Sequence, residues 1–503
     1  MQSSTLARVR IYWLAMVLCI GGFLFGYDSG IVGGVLKFDS FEHDFRYANY
    51  TKDQKTDVSS LTVGIQQAGA LVGCFAIWPL TNRMGRKFSI VVCSVVFCIG
   101  VVLEVVNTHS LSAFYVGRVI CGLGVGGSSV VIPIYMSEMS PKDIRGRLGS
   151  CYQWMFTIGI FCSYWVDYAV DRAPGFAMAS KQWQVPIGLQ MVPGGLMGIG
   201  MLTLKESARW LVFRGEHERA WESLKWVRAS DSDEVREELA EMKQGVEDDR
   251  RMSAGFQVKE LLEWPNMHRL ILAFAVFCAQ QSTGATALAY FGPQFFSILV
   301  GDDNSKTLLL TAIFGAIKVL ACGIFVIFVA ERFGRRGPFM WGGMFMAACM
   351  ITTAAVVKEV PPPGDGSVTS AGIATVALIY MNIIAYNCSW GPLPWPYVSE
   401  IFSPRIREPG VAVGVGAQWL FNFVYSFSTP YMMADLGWGT FLVYGAFDAI
   451  IVAFVYFFVK ETADKTLEEV NVMFHTVAND PSDAKSSTSI HIERGAHDPN
   501  DPK

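Results

Sequence analysis

Four ionisable side chains stand inside long apolar runs. Asp28 closes Gly-Phe-Leu-Phe-Gly-Tyr-Asp, Arg118 lies in Phe-Tyr-Val-Gly-Arg-Val-Ile, Lys318 in Phe-Gly-Ala-Ile-Lys-Val, and Asp448 in Tyr-Gly-Ala-Phe-Asp-Ala-Ile. A charge in hydrocarbon costs about 3 kcal/mol or more, so such residues pair, line a watered cavity, or carry protons and ions. A carboxylate beside a guanidinium stays ionised, and it takes up a proton when the two separate. Asp28 and Arg118 are therefore candidates for proton coupling; the alternative is a static structural pair. Lys318 stands 13 residues before Glu331. That is about 20 Å of helix, too far for its ammonium to reach the interface. It could pair with Asp448, attract an anionic substrate, or pack away from any cavity.

Neutral amides make a second set. Gln280 and Gln281 open an apolar run. Two amides there are costly unless they bond a ligand or a neighbouring helix. Charges at the ends of the apolar runs form a third set: Arg86, Glu138 and Arg145, then Arg335, Glu400 and Arg407, with Glu206 and Glu461 beside them. Loop charges are usually only solvated, but occurrence in both halves of the chain favours a network. No phosphate loop, nucleophile constellation or metal-ligand cluster occurs, so no enzyme activity, cofactor or metal is expected.

Such residues need elements that hold them in a bilayer, and the composition provides these. Of 503 residues 52% are hydrophobic and 17% charged, below the roughly 25% charged of soluble domains. The formal net charge of -4 and the lack of any matching motif argue against a nucleic-acid partner. The 11 cysteines lie in apolar stretches and are expected as free packing residues. No cleavable leader is expected, because the first apolar run follows Arg8 and Arg10 and lacks a small-residue cleavage pattern.

A spanning helix needs about 20 mainly apolar residues. Twelve candidates occur, at 11–34, 58–81, 88–107, 113–136, 148–169, 184–204, 267–299, 307–330, 338–357, 372–399, 410–434 and 438–459. The expected fold is an all-α polytopic membrane protein with two six-helix bundles. An N-terminus at 1–10 precedes bundles at 11–204 and 267–459, joined by a polar linker at 205–266, with a tail at 460–503. Within the linker, 217–228 and 233–243 read as amphipathic helices, and the polar tail from about 476 reads as disordered. Lysine and arginine favour one face, 13 in the segments sharing the side of the N-terminus against 8 opposite. Both termini are thus expected in the cytoplasm. Asn49-Tyr50-Thr51 in the first outer loop is a possible glycosylation acceptor.

Three charged patterns recur. Asn82-Arg-Met-Gly-Arg-Lys returns as Glu331-Arg-Phe-Gly-Arg-Arg after 249 residues, Ser137-Glu138 before Ser-Pro returns as Ser399-Glu400 after 262, and Lys205-Glu206-Ser207 returns as Lys460-Glu461-Thr462 after 255. Each follows the second, fourth or sixth span of its half. Parallel repeats of this kind pack about an axis along the membrane normal, with a binding site between them.

The Gly85-Arg86-Lys87 and Gly334-Arg335-Arg336 loops, Arg145-Gly146-Arg147, Gln280-Gln281 and Gly391-Pro392-Leu393-Pro394-Trp395 resemble the sugar porter family of the major facilitator superfamily, from about residue 11 to 470. The sequence departs from that family at Lys205 and Lys460, usually Pro, and at Ala208, where a further Pro is usual. The resemblance implies pairing of Asp28 with Arg118 to couple uptake to protons. It implies substrate contacts from Gln153, Gln280, Gln281, Thr286, Asn387, Trp395, Gln418, Trp419 and Asn422, and gating by Tyr290 and the bend at Pro392 and Pro394. It further implies an inner charge network that breaks as the inner side opens. Thr286 and Gln418 replace the Asn of hexose carriers, and Val319 stands at a third such Asn, which points away from plain glucose. Fungal members similar to quinate and sugar-acid permeases often carry a lysine like Lys318.

The expected activity is therefore proton-coupled import of a monosaccharide or sugar acid, galacturonate- or quinate-like, by a monomer in the plasma membrane. The alternatives are a neutral hexose or pentose carrier, and a nutrient receptor that binds without carrying. The 43 residues after Lys460 show no repeated signalling motif, which weighs against a receptor.

Overall fold

Each of the twelve apolar runs forms a membrane-crossing segment, because hydrocarbon leaves the backbone no partner but its own helix. The computed structural model describes residues 5–106, 108–141, 144–176, 178–253, 258–301, 303–329, 334–362, 369–402, 406–463, 469 and 473–474, and among these there is no strand. Spans 1 to 6 are Thr5–Val35, Lys52–Met84, Arg86–Val105, Leu111–Met139, Arg145–Arg172, and the pair Lys181–Gly188 with Met191–Thr203. Span 7 is broken into Trp264–Ser282, Ala285–Tyr290 and Gly292–Val300. Spans 8 and 9 are Asn304–Ile324 and Arg336–Glu359; span 10 is Ser370–Asn387 with Pro394–Glu400; spans 11 and 12 are Arg407–Leu436 and Gly439–Phe458. Among the described residues nine segments are long and apolar enough to cross a membrane on those grounds alone. Spans 5, 7 and 11 complete the twelve; span 7 is divided by its breaks.

Spans 1 to 6 pack as one bundle and spans 7 to 12 as the other, and the two meet along spans 2 and 11 and along spans 5 and 8. The face bearing the linker helices is called inner below. At the opposite, outer face the bundles are tied together. Ser60 Oγ donates to Phe427 O at 2.5 Å, Tyr431 to Asp57 at 2.7 Å, Lys52 to Ala434 O at 2.8 Å, and Gln294 to Gly33 O at 3.0 Å. Gly33 permits this approach: a Cβ there would lie 2.2 Å from the carbonyl oxygen of Tyr290. The outer end of the interface is thus closed.

The linker folds as Ala208–Arg214, His217–Arg228, Asp233–Ser253 and a short turn at Val258–Leu262. The third helix runs ten residues past the expected end at 243, because Val246 keeps its apolar face buried beside Val235 and Leu239. The linker leans on the first bundle: Arg228 donates to Met139 O at 3.1 Å, and Arg10 at the start of span 1 donates to Trp226 O at 2.7 Å. Thr51 caps span 2 and forms a reciprocal pair with Gln54, so the hydroxyl of the Asn49 acceptor motif is engaged while Asn49 itself is exposed. The tail expected to be disordered lies outside the described residues.

Candidate proton and substrate site

Spans 2 and 4 touch backbone to backbone. A Cβ at Gly122 would lie 2.2 Å from Gln66 O, and small residues are what allow membrane helices so close. This contact sets Gln66 beside Arg118, four residues before Gly122. Arg118 Nη1 lies 3.2 Å from Asp28 Oδ1, and Arg118 Nε donates to Thr62 O at 3.1 Å. Gln66 bridges the pair: its amide nitrogen donates to Asp28 Oδ2, and its oxygen accepts from Arg118 Nη2. Asp28 is 2% exposed and Arg118 1%. The carboxylate and guanidinium therefore meet in a dry site, where the pair is strong and a separated charge is costly.

Toward the second bundle, the breaks in spans 7 and 10 meet. Gln280 Nε2 donates to Trp390 O and Gly391 O, both at 3.0 Å. These carbonyls are free because Pro394 brings no N–H to either of them and the first helix of span 10 stops at Asn387. Span 7 breaks at Gly284, whose φ of 75° is left-handed and against which the Tyr444 ring packs. The break leads to Tyr290, whose hydroxyl accepts from Asn422 Nδ2 at 3.2 Å. Ser426 donates back to Asn422 Oδ1 at 3.2 Å.

Several polar atoms here are buried and without hydrogen-bond partners: Gln280 Oε1, Gln281 Oε1, Gln418 Oε1 and Trp419 Nε1. Native proteins rarely leave such groups unpaired unless water or a ligand fills the need. Three acceptors and one donor suit a polyhydroxylated molecule. Trp419 packs against Phe25 at 5.4 Å, and Phe25 against Phe156 at 4.7 Å. The Lys318 ammonium lies 5.6 Å from the Phe156 ring centre. This run of rings crosses from span 11 through spans 1 and 5 to span 8.

Other expected residues sit differently. Asn387 donates to Ile383 O at 2.8 Å, within its own helix. Trp395 is 36% exposed and packs edge-on against Phe277, one turn before Gln280 on span 7. Gln153 and Thr286 are half-buried. Lys318 and Asp448 do not pair: both Asp448 oxygens are buried without partners, and no described carboxylate lies within ion-pair distance of Lys318.

The inner charges form the same device twice. Arg86 pairs with Glu138 at 3.0 Å, Ser207 donates to Glu138 at 2.5 Å, and Glu206 accepts from the Arg86 and Lys87 amides. Arg335 pairs with Glu400 at 3.1 Å, Thr462 donates to Glu400 at 2.6 Å, and Glu461 accepts from the Arg335 and Arg336 amides. Each device closes within its own bundle. Arg407 reaches Phe402 O at 3.5 Å, and its Nε is unpartnered; the Arg145 side chain lies outside the described set.

The family described as "Sugar (and other) transporter" matches residues 14–474. The chain belongs to that sugar transporter family. It is 33% identical over 492 residues to a probable quinate permease of Aspergillus niger, covering 96% of this chain and 91% of the relative. It is 32% identical over 476 residues to a quinate permease of Emericella nidulans, covering 92% and 88%. Among solved structures it is similar to the proton:xylose symporter XylE bound to 6-bromo-6-deoxy-D-glucose, with a TM-score of 0.74 at 25% identity over 93% of this chain and 99% of that one. The inward-open xylose transporter XylE from E. coli shares its fold, with a TM-score of 0.77 at 24% identity, over 92% and 99%. The two bundles are the major facilitator fold.

Among the described residues of this sugar transporter, three further charged side chains are buried within the spans, beside the four noted in the sequence. Glu104 in span 3 is fully buried, and its Oε2 lies 3.6 Å from Arg118 Nη1. Asp167 in span 5 is buried with both oxygens unpartnered, against Gly34. Arg269 in span 7 lies under the Phe474 ring at 5.3 Å. Glu104 and Asp167 were within reach, since both fall inside the expected spans 88–107 and 148–169. Gln66 is a neutral residue on a helix rich in polar side chains, and no sequence signal singles it out.

Proposed function

We propose that this chain imports a monosaccharide or sugar acid together with protons by alternating access, as a plasma-membrane carrier with both termini in the cytoplasm. The observation that carries the proposal is the dry Asp28–Gln66–Arg118 bridge beneath a closed outer face. A proton on Asp28 cancels its charge and releases span 1 from Arg118 and Gln66, which links protonation to movement of span 1 against spans 2 and 4. The unpartnered amide and indole atoms of Gln280, Gln281, Gln418 and Trp419 take the substrate hydroxyls. Asn422 and Tyr290 join spans 11 and 7 at the outer gate, and the bend at Pro392 and Pro394 lets span 10 follow. The paired inner charges at Arg86–Glu138 and Arg335–Glu400 brace each bundle and exchange partners as the inner side opens and closes.

An acidic substrate is favoured by Lys318, a buried cation with no described carboxylate beside it, and by the kinship with quinate permeases. Radiolabelled uptake in a host lacking its own carriers tests this. Galacturonate, quinate, xylose and glucose are each supplied at several external pH values, with and without a proton uncoupler. Acid-stimulated, uncoupler-sensitive uptake of an acidic member is expected. Uptake indifferent to both pH and uncoupler overturns the coupling.

A further inference from the structure

Arg118 faces two carboxylates rather than one. Asp28 Oδ1 approaches Nη1 at 3.2 Å from span 1, and Glu104 Oε2 approaches the same nitrogen at 3.6 Å from span 3. The second approach is built into the packing. Gly117, next to Arg118 on span 4, leaves room for the Glu104 side chain, since a Cβ there would sit 2.8 Å from Glu104 Cγ. Neither Glu104 oxygen has a hydrogen-bond partner, and the residue is 0% exposed. A buried carboxylate without hydrogen bonds is a costly thing to keep. Its one strong partner is the guanidinium. The other titratable groups facing the cluster are Cys121, one turn along span 4, and Tyr290 from span 7.

With Asp28 ionised, the cluster holds two negative charges and one positive. With Asp28 protonated, it holds one of each. Without Glu104 the loaded cluster would instead be a lone buried cation, the state that low-dielectric surroundings oppose most strongly. We propose that Glu104 is a positioning residue for proton coupling: it remains the counter-ion of Arg118 when Asp28 is protonated, holding the guanidinium in place and raising the proton affinity of the Asp28 site. The step is one proton added to the Asp28 carboxylate from the outer side and released to the inner side. This rests on the proton-coupled reading above and names the residue that sets its working pH.

Removing the second negative charge makes Asp28 harder to protonate. In Glu104→Gln the pH midpoint of proton-driven uptake should move to more acidic values by about one unit or more, the size of effect that one nearby like charge exerts. Substrate counterflow at matched pH, which needs no net proton movement, should change far less. Glu104→Asp keeps the charge one methylene further away and should shift the midpoint the same way by a smaller amount. The measurement uses the full chain in proteoliposomes with an imposed proton gradient. A coupled wild type whose midpoint is unchanged in both variants overturns the role of Glu104. Should Glu104→Gln fail to reach the membrane, an unchanged midpoint in Glu104→Asp does the same. Wild-type uptake indifferent to the gradient overturns the coupling itself and is a separate outcome.

Discussion

Arg118 Nη1 meets Asp28 Oδ1 at 3.2 Å in a site from which water is shut out. The partners come from spans 4 and 1, so any movement of one helix against the other changes the distance. Asp28→Asn should abolish uphill accumulation, lowering it about tenfold or more, while counterflow persists within a few-fold. The factor follows from uncoupling one proton from the membrane potential, about 2.3 kcal/mol per 100 mV. Accumulation ratios in energised cells compared with counterflow in vesicles check it; loss of both together assigns Asp28 to the scaffold instead.

Gln280 and Gln281 are neighbours with different duties. Gln280 spends its N–H groups on the free carbonyls of span 10, whereas no backbone carbonyl of that break is held by Gln281. Gln281→Ala should raise the half-saturation concentration about three- to tenfold, the effect of one neutral hydrogen bond. Gln280→Ala should also lower the melting temperature, because it strands two buried carbonyls. Uptake kinetics and thermal unfolding in detergent separate the two.

Lys318→Met keeps the apolar stem against Phe156 and removes the charge. Uptake of galacturonate or quinate should fall about tenfold or more, from the loss of a charged bond. Xylose uptake should change much less. Equal loss for acidic and neutral substrates would place Lys318 in packing alone.

The two inner devices should respond to pH differently. At Glu206, burial pushes the carboxyl above its ordinary range despite the N–H groups of Ser207, Lys87 and Arg86. At Glu461, burial pushes the same way but is outweighed by the N–H groups of Arg335, Ala463, Arg336 and Thr462, which hold it below that range. The stability from Glu461 is present above the ordinary carboxylate range and is lost as pH falls through its lowered value. Glu206 works the other way: its raised value favours folding when protonated, and that gain fades as pH rises through it. Near neutral pH, Glu461→Gln should therefore cost more than Glu206→Gln, by about 1 kcal/mol, within the range for a bond to a charged group discounted for partial exposure. Melting curves of both variants from acidic to neutral pH should converge as the wild-type Glu461 protonates.

The sequence by itself determined the spans, the repeat and the charged devices at the inner helix ends. Hydrophobic length is a local property, and the three charged patterns recur in register, so Arg86 and Glu138, or Arg335 and Glu400, could be named without knowing the packing. Asp28 and Arg118 were legible because a charge in an apolar run announces its own cost. What only the tertiary structure decided is who meets whom. Gln66 enters the bridge because Gly122 lets two backbones touch, and Glu104 reaches Arg118 because Gly117 makes room. Lys318 faces an aromatic ring, not Asp448, because span 8 packs on span 5. Helix periodicity fixes which side of a helix a residue occupies, but not which neighbour that side meets. That choice is made by close packing among residues far apart in the chain.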